Sequence, residues 1–500
     1  MARPSLLIAV DQGTTGTRTY VFGPDGTVKG SAYREHAQHF PRPGWVEHDA
    51  AEIWDNVQAT GRAALKSAGI RPGTVAKYAG ALGITNQRET VLLWDRATAR
   101  PLHRAIVWQC RRTAARCAQL EAEGWGPRVR RRTGLVLDAY FSATKAEWLL
   151  RHVPGARAAA ARNSAALGTM DSYLLYRLTG GAVHATDYTN ASRTLLFDIR
   201  RRRWDPALLE LFGVPASLLP QARPSAWRYG ATDASSFCGP GIPVTGIAGD
   251  QQAALFGQGC TRAGQMKNTY GTGCFLLMNL GGRHRLSRSG LLTTLACGPD
   301  GGPVFALEGA AFIGGAAVQW VRDQLGLVQD AAQTEAVCRS LPDNGGVHLV
   351  PAFVGLGAPH WDSSARGTLT GLTRGSTGPH VVRAAVESMA FQSAELVRAM
   401  EADAGLRIRR LRVDGGASGN SWLMQLQADL LGAVVERPAQ VETTALGAAL
   451  LAGLGSGILN AGRAGRGARI GRRFRPARGK AFRDQAMAGW ARAVRQAMAA

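Results

Sequence analysis

Asp11-Gln12-Gly13-Thr14-Thr15 follows the apolar run Leu6 to Val10, and Asp414-Gly415-Gly416-Ala417 follows Leu411-Arg412-Val413. In a glycine-rich turn the backbone N–H groups can approach an anion closely, and hydroxyl side chains donate further hydrogen bonds. An aspartate at a strand end can hold a hydrated magnesium ion. Either turn alone also fits a simple bend between strands, but the two together predict the walls of one phosphate-binding cleft.

Length and patterning predict an α/β protein with two domains. A chain of 500 residues exceeds the size at which a single core keeps growing. The apolar stretch 243–249 ends in Asp250 near the midpoint, so we place the domains at residues 1–254 and 255–500. The patterns predict strands at 6–10, 17–22, 75–84, 243–249, 265–277 and 303–306, and helices at 50–67, 114–123, 251–257, 314–325 and 379–402. Residues 461–475, rich in glycine and arginine, predict a loop or a mobile tail.

The formal net charge of +23 raises the question of a nucleic-acid partner. Nearly all of this charge is arginine, since lysine occurs only at positions 29, 66, 77, 145, 267 and 480. The arginine runs at 128–132 and 200–203 also lack the interleaved aromatic residues of a single-strand-binding groove. A compositional bias and a solvated basic face are therefore the favoured interpretation, and we expect no nucleic-acid partner.

Cysteine spacing and hydropathy exclude two further classes. The seven cysteines are scattered and form no C-x-x-C pair, which argues against a disulfide framework or a zinc site. No apolar run reaches the roughly 18 to 20 residues of a membrane span, and the first ten residues show no signal-peptide pattern. We therefore expect a cytoplasmic protein without membrane insertion.

Longer motifs occur in the order typical of one known family. The sequence resembles the glycerol kinases, which belong to the sugar and polyol kinase branch of the actin/hexokinase-like ATPases. The segments that carry the resemblance are Asp11 to Thr15, Gly83 to Thr90, Ile106 to Thr113, Tyr140 to Ser142, Thr186 to Thr194, Gly246 to Leu255, Asn268 to Phe275, Pro351 to Pro359, the Asp414 turn and Glu442 to Ala449.

This resemblance implies two ribonuclease-H-like domains that flank an active-site cleft, with polyol held mainly by the first and nucleotide mainly by the second. The implied activity is ATP-dependent phosphorylation of glycerol to sn-glycerol 3-phosphate, the first step of glycerol catabolism. ATP and Mg²⁺ are the implied nucleotide and metal. Family members form dimers or tetramers, so a homo-oligomer is expected.

The resemblance implies that Asp250 is the catalytic base that takes the proton of the substrate hydroxyl. Without the resemblance, an aspartate before Gln-Gln-Ala-Ala-Leu is equally compatible with a helix N-cap. By themselves, adjacent Arg88 and Glu89 favour an exposed ion pair. The implied polyol pocket, in which donors and acceptors match the hydroxyls of a small triol, consists of Arg88, Glu89, Tyr140, Asp250, Gln251 and Phe275.

The implied nucleotide site combines several glycine-rich segments with a metal position. Asp11 would orient magnesium through its water shell, and Asp250 would also face the metal. The family usually has serine where this chain has Gly16, so the hydroxyl of that serine is lost, although backbone N–H groups could replace its contact to the nucleotide. The nucleotide-binding residues implied by the resemblance are Thr14, Thr15, Gly16, Arg18, Thr272, Gly315, Gln319, Gly416 and Asn420.

Two alternatives remain open from the sequence. A kinase for another polyol or a ketopentose would share the ATP motifs but should differ around Arg88, Glu89 and Tyr140. A non-catalytic actin-like ATPase would use the phosphate turns without a polyol pocket. For regulation, residues 205–283 contain no histidine, so activation by phosphorylation of a histidine in that region has no matching residue.

Overall fold

The computed structural model describes residues 5–71, 73–362, 364–440 and 442–499. Two α/β halves follow one another along the chain, and we number strands and helices in chain order.

The strands of the first half are β1 (Leu6–Gln12), β2 (Gly16–Phe22), β3 (Val28–Glu35), β4 (Glu47–His48), β5 (Ala79–Asn86), β6 (Val91–Asp95), β7 (Ala105–Ile106), β8 (Ala165–Thr169), β9 (Ala185–Asp187), β10 (Phe197–Asp198), β11 (Arg203–Trp204), β12 (Gln221–Arg223), β13 (Ala226–Ala231) and β14 (Pro243–Gly249). Its helices are α1 (Ala50–Ser67), α2 (Ala114–Ala122), α3 (Gly126–Thr133), α4 (Ala143–His152), α5 (Ala156–Ala161), α6 (Met170–Leu178), α7 (Tyr188–Ala191), α8 (Pro206–Leu211) and α9 (Asp250–Gly257), with 3₁₀ turns at Val75–Lys77 and Ala216–Leu218.

The second half contains β15 (Met266–Tyr270), β16 (Cys274–Gly281), β17 (Leu292–Cys297), β18 (Pro303–Ala311), β19 (His348–Val350), β20 (Thr368–Thr370), β21 (Arg410–Asp414), β22 (Val434–Pro438) and β23 (Ile470–Phe474). Its helices are α10 (Gly315–Asp323), α11 (Gln333–Ser340), α12 (Gly378–Ala404), α13 (Ser421–Leu431), α14 (Thr443–Gly455), α15 (Ala461–Ala464) and α16 (Lys480–Met498), with a 3₁₀ turn at Gly416–Gly419.

The main sheets of the two halves share one pairing pattern. The first has the order β13-β14-β5-β1-β2-β3, in which β14, β5 and β1 are parallel and the other pairs are antiparallel. The second has the order β17-β18-β16-β15-β21-β22-β23, in which β15, β21 and β22 form the parallel part. Both sheets therefore have the duplicated arrangement that the ribonuclease-H-like resemblance implies, and the prediction of two α/β halves is confirmed.

Helix α14 belongs to the second half in sequence but packs against the sheet of the first. Its apolar face joins Leu7, Ala9, Ala81 and Ala248 in one buried cluster. A side chain at Gly447 of α14 would overlap the carbonyl oxygen of Ala253 in α9, so the two helices approach closely at this position. The interface between the halves thus depends on small residues, which allow backbones to pack in direct contact.

Most predicted elements are present, with differences at their ends. The helix predicted at 50–67 has these bounds because Asp49 caps it, accepting hydrogen bonds from Ala51 and Glu52. The strand predicted at 75–84 begins only at Ala79, after a 3₁₀ turn, and the one predicted at 265–277 is the hairpin β15–β16. The prediction of a loop at 461–475 is wrong, because α15 forms there and β23 pairs with β22.

Three further predictions concern the domain boundary, thiols and membranes. The boundary proposed between residues 254 and 255 falls inside α9. The seven cysteines are buried as free thiols. Among the described residues, no helix is both long and apolar enough to cross a bilayer.

We predict that Gly447→Ala lowers the thermal unfolding midpoint, since the added methyl group forces α14 away from α9 at a cost of about 1–3 kcal/mol. Gly462→Ala in α15 is the control, because its methyl group would meet only an ordinary contact, 3.5 Å from Asn460 Oδ1. Helix propensity alone would make both substitutions slightly stabilising. An unchanged or higher midpoint for Gly447→Ala would contradict the close approach of the two helices.

Candidate active site

Three adjacent parallel strands bring the central candidate residues to one edge of the first sheet. Asp11 of β1 lies opposite Thr85 of β5, and Asn86 of β5 lies opposite Gly249 of β14. The carboxyl ends of parallel strands are where α/β sheets place their ligands. The turn after Asp11, the Arg88–Glu89 pair and Asp250 therefore meet at this edge, although they are far apart in sequence.

The first phosphate turn is closed by a hydrogen bond from Gly13 N to Gly16 O at 2.9 Å. Thr14 is fixed at both ends, since Trp108 Nε1 donates to its hydroxyl at 3.0 Å and Gln38 Nε2 donates to its carbonyl at 2.9 Å. Thr15 is exposed at the tip. The turn is thus held rigidly, with one hydroxyl open to the cleft.

The family resemblance implies a second phosphate turn at Gly271-Thr272-Gly273, which lies between β15 and β16. Gly314 N donates to Thr272 O at 2.7 Å and Gly315 N donates to Gly271 O at 2.9 Å, so α10 begins directly on this turn. Thr269 of β15 lies opposite Asp414 of β21, which places the turn that follows Asp414 beside it. Both glycine-rich segments of the second half therefore share one edge of the second sheet.

The remaining predicted nucleotide residues lie on neighbouring helices. Gln319 is an exposed residue of α10, and Gly416 faces open space. Asn420 caps α13, its side chain accepting a hydrogen bond from Leu423 N at 2.9 Å. The nucleotide roles of these residues stay predictions, and Asn420 has a structural role in any case.

A buried network of four charged side chains joins the two halves. Arg88 makes a two-pronged contact with Glu308 of β18, at 2.6 Å from Nη1 and 2.9 Å from Nη2. Arg193 donates to Glu308 at 3.0 Å and to Glu89 at 2.6 Å. The interpretation of Arg88 and Glu89 as an exposed ion pair is wrong, because these side chains are 3% and 1% exposed.

The network contains two arginines and two glutamates, and the pKa of each glutamate depends on its burial and on its arginine partners. Burial favours the neutral form of Glu308, but Arg193 and Arg88 outweigh it and hold the pKa of Glu308 below its usual range. For Glu89, burial outweighs Arg193 and Arg88, so its pKa is raised. Two arginines and two glutamates without solvent can be stable only as a hydrogen-bonded set.

Glu89 occupies an unusual backbone conformation at the pocket. Its φ is +61°, and Thr90 N donates to Arg88 O at 2.7 Å, so the chain makes a tight turn centred on Glu89. Ser142 donates to the Glu89 carbonyl at 2.8 Å and so helps to hold this turn. A residue other than glycine with a positive φ has a strained backbone, and such strain is typical of functional sites.

Aromatic rings form the apolar wall of the pocket. Trp108 lies between Tyr140 and Phe275, with ring centroids 5.5 Å and 6.4 Å away. The buried Lys145 of α4 donates to the carbonyls of Trp108 and Tyr140, at 3.2 Å and 3.1 Å. Burial lowers the pKa of Lys145 to about 8, and its amine donates hydrogen bonds in either protonation state. Helix α4 therefore holds the backbone of both Trp108 and Tyr140 through Lys145.

Asp250 is the first residue of α9 and is partly exposed to the cleft. The helix N-cap is Gly249, so the alternative of Asp250 as the N-cap is wrong. Its carboxylate accepts a hydrogen bond from Gln251 N at 2.7 Å and lies 3.3 Å from Arg88 Nε. The carboxylate is thus oriented toward the pocket beside Arg88.

Gln251 is connected through Lys267 and Thr269 to Asp414. Lys267 Nζ donates to Gln251 Oε1 and, at 2.7 Å, to the Thr269 hydroxyl, which donates to Asp414 at 2.6 Å. Thr443 donates to the other oxygen of Asp414. Burial lowers the pKa of Lys267 to about 8, partly offset by Asp414 and Asp250. This chain of contacts links both sides of the cleft.

Asp11 lies in a group of carboxylates that suits a cation. Burial, with further contributions from Asp250 and Glu442, raises the pKa of Asp11 to about 7, and Arg18 opposes this only in part. Arg18 itself is paired with Glu442 at 2.7 Å. Within the described ranges, no three His, Cys, Asp or Glu side chains are grouped to hold a metal directly. The arrangement fits magnesium held through water, by one or two carboxylates and the phosphates of a nucleotide.

Sequence reasoning missed four residues of this site: Trp108, Arg193, Lys267 and Glu308. Trp108 and Arg193 lie in motifs that carried the family resemblance, and Lys267 directly precedes one, so those motifs were a signal for them. Glu308 lies in no motif, and only the pairing of β18 with β16 brings it to the cleft.

Comparisons with known proteins show which family the chain is similar to. The N-terminal and C-terminal domain models of the FGGY family of carbohydrate kinases match residues 6–257 and 266–456. The chain is 52% identical over 492 residues to the glycerol kinase of Carboxydothermus hydrogenoformans and 54% identical over 493 residues to that of Symbiobacterium thermophilum, covering 98% of each chain. Its fold is similar to the crystal structure of Plasmodium falciparum glycerol kinase with ADP, with a TM-score of 0.91, 33% identity and 99% of both chains covered.

We predict that Glu308→Gln lowers the free energy of unfolding by about 3 kcal/mol, because it leaves Arg88 and Arg193 buried with one carboxylate fewer. Asp484→Asn is the control. It removes an exposed ion pair with Lys480 on α16 and should change stability by less than about 1 kcal/mol. Denaturant unfolding measures the free energy of unfolding of both variants. Equal losses in the two variants would contradict a stabilising role of the buried network.

Proposed function

The chain belongs to the FGGY family of carbohydrate kinases, and we propose that it transfers the γ-phosphoryl group of ATP to a terminal hydroxyl of glycerol, giving sn-glycerol 3-phosphate and ADP. The observation that carries this proposal is the pocket in which Arg88 and Glu89 lie beside the carboxylate of Asp250, at the strand edge that also bears the first phosphate turn. Similarity to glycerol kinases over nearly the whole chain supports the same substrate.

The pocket suits a small uncharged polyol. Arg88 gives its shortest hydrogen bonds to Glu308, and its longer contacts, 3.3 Å to Gln252 Oε1 and 3.4 Å to the Tyr140 hydroxyl, are the ones that substrate oxygens can replace. Glu89 and Asp250 supply acceptors, while Trp108 and Phe275 offer apolar surface to the carbon chain. Because these polar groups are largely buried, an analogue that lacks a hydroxyl would leave one of them unpaired, which gives discrimination.

In the proposed mechanism, Asp250 accepts the proton of the attacking hydroxyl. Arg88 and the Gln251 N–H orient its carboxylate, and its partial exposure leaves one side open to substrate. The two phosphate turns would hold the nucleotide so that the γ-phosphoryl group faces the same edge. Closure of the halves would exclude water from the reacting group and limit ATP hydrolysis.

Asp11 and Asp250 are the proposed magnesium residues, with water between Asp11 and the metal. When bound, magnesium neutralises part of the charge on the phosphate oxygens. Thr14, Thr15 and Arg18 are the proposed groups around the β- and γ-phosphates, and Thr272, Gly315, Gln319, Gly416 and Asn420 the proposed contacts to the rest of the nucleotide. A cytoplasmic location and a homo-oligomer, either dimer or tetramer, remain proposals, as does the lack of a nucleic-acid partner.

A coupled ADP-release assay with Mg·ATP tests the function directly. The polyols are glycerol, dihydroxyacetone, erythritol, xylulose and ribulose, with a no-substrate control. We expect a strong preference for glycerol and very little ADP release without polyol. A preference for a five-carbon ketose would contradict the assignment of glycerol as the substrate. ATP hydrolysis at the same rate with and without every polyol would favour an actin-like ATPase.

We predict that Asp250→Asn lowers kcat for glycerol phosphorylation by about a hundredfold or more, since the amide cannot take the substrate proton. The KM for ATP should change much less than kcat, because Thr14, Thr15 and Arg18 are untouched and Asp11 still faces the metal. Asp300→Asn, in an exposed turn where its carboxylate accepts from Gly302 N, is the matched control and should retain wild-type turnover. Near-normal turnover of Asp250→Asn would remove the assignment of the base.

A further inference from the structure

Tyr33 lies in line with two residues of the first phosphate turn. Asp11 of β1 is directly opposite Arg18 of β2, and Arg18 is directly opposite Tyr33 of β3. Directly opposite residues in antiparallel pairs project to the same face of a sheet. Asp11, Arg18 and Tyr33 therefore form one row across three strands, on the face where the phosphate groups are proposed to bind.

The end of the Tyr33 side chain fills the space that a side chain at Gly16 would occupy. A Cβ atom at Gly16 would lie 2.5 Å from Tyr33 Cε2 and 2.6 Å from the Tyr33 hydroxyl oxygen. Gly16 closes the phosphate turn through its hydrogen bond from Gly13 N. The Tyr33 hydroxyl thus lies against the backbone of this turn.

Two further observations indicate that this hydroxyl is available to a ligand. Tyr33 is 45% exposed, and its hydroxyl makes no hydrogen bond to another group in the described part of the chain. The Arg18 guanidinium lies over the ring, 4.7 Å from its centroid, and is held from the other side by Glu442. The ring is therefore anchored while its polar end is free.

We propose that Tyr33 is a nucleotide-binding residue whose hydroxyl donates a hydrogen bond to a phosphate oxygen of ATP at the turn 11–16. The inference rests on the proposed function, because it requires phosphate at this turn. It gives the glycine at position 16 a physical reason, since any side chain there would displace the Tyr33 ring and its hydroxyl. Hydrogen bonds from a neutral donor to an anion are stronger than those between neutral groups.

Tyr33→Phe tests the proposal, because it removes the hydroxyl and keeps the ring that stacks on Arg18. Calorimetric titration measures the affinities of wild type and variant for Mg·ATP and for AMP, which lacks the β- and γ-phosphates. We expect ATP affinity to fall by about tenfold and AMP affinity to stay within about twofold. The KM for glycerol should not change. Tyr78→Phe, at an exposed tyrosine outside this row, is the matched control and should bind both nucleotides like the wild type.

The outcomes separate this inference from the function on which it rests. Equal ATP affinities of wild type and Tyr33→Phe would overturn it, and so would equal losses for ATP and AMP, which would indicate a general structural effect. A wild-type chain that binds no ATP would overturn the proposed function and this inference with it.

Discussion

The ion pair between Arg88 and Glu308 is the contact on which the arrangement of the cleft depends. Arg88 follows β5 in the first half and Glu308 lies on β18 in the second, and both side chains are buried. Neither charge could be buried alone, since the uncompensated desolvation cost would be several kcal/mol. Both halves therefore supply charges to one buried set, and the Arg88–Glu308 pair keeps the two halves in contact at this point.

The same contact prepares the pocket before a substrate arrives. With Arg88 held by Glu308, and Glu89 held by Arg193 and by the hydrogen bond from Ser142, the polar groups of the pocket have little freedom left to lose on binding. Rigid donors and acceptors favour ligands whose oxygens match their spacing. The strained backbone of Glu89 is consistent with a site whose geometry is set by its surroundings.

Local features of this protein could be predicted from sequence, and features that depend on distant contacts could not. The glycine-rich turn after β1, helix α1 and the strand before Asp250 follow from residue patterns within a few positions. The burial of Arg88, the part played by Glu308 and the packing of α14 against the first sheet arise from pairings across hundreds of residues. Strand β23 was missed for the same reason, since its arginine-rich sequence gives no alternating pattern and it forms only because β22 offers an edge.

The most direct test of this account is a crystal structure of the protein with glycerol and Mg·ADP. The account predicts glycerol hydroxyls within hydrogen-bonding distance of Arg88, Glu89 and Asp250, the carbon chain against Trp108 and Phe275, and the Arg88–Glu308 pair intact. Glycerol bound away from these residues, or an Arg88 side chain separated from Glu308 in the complex, would contradict it.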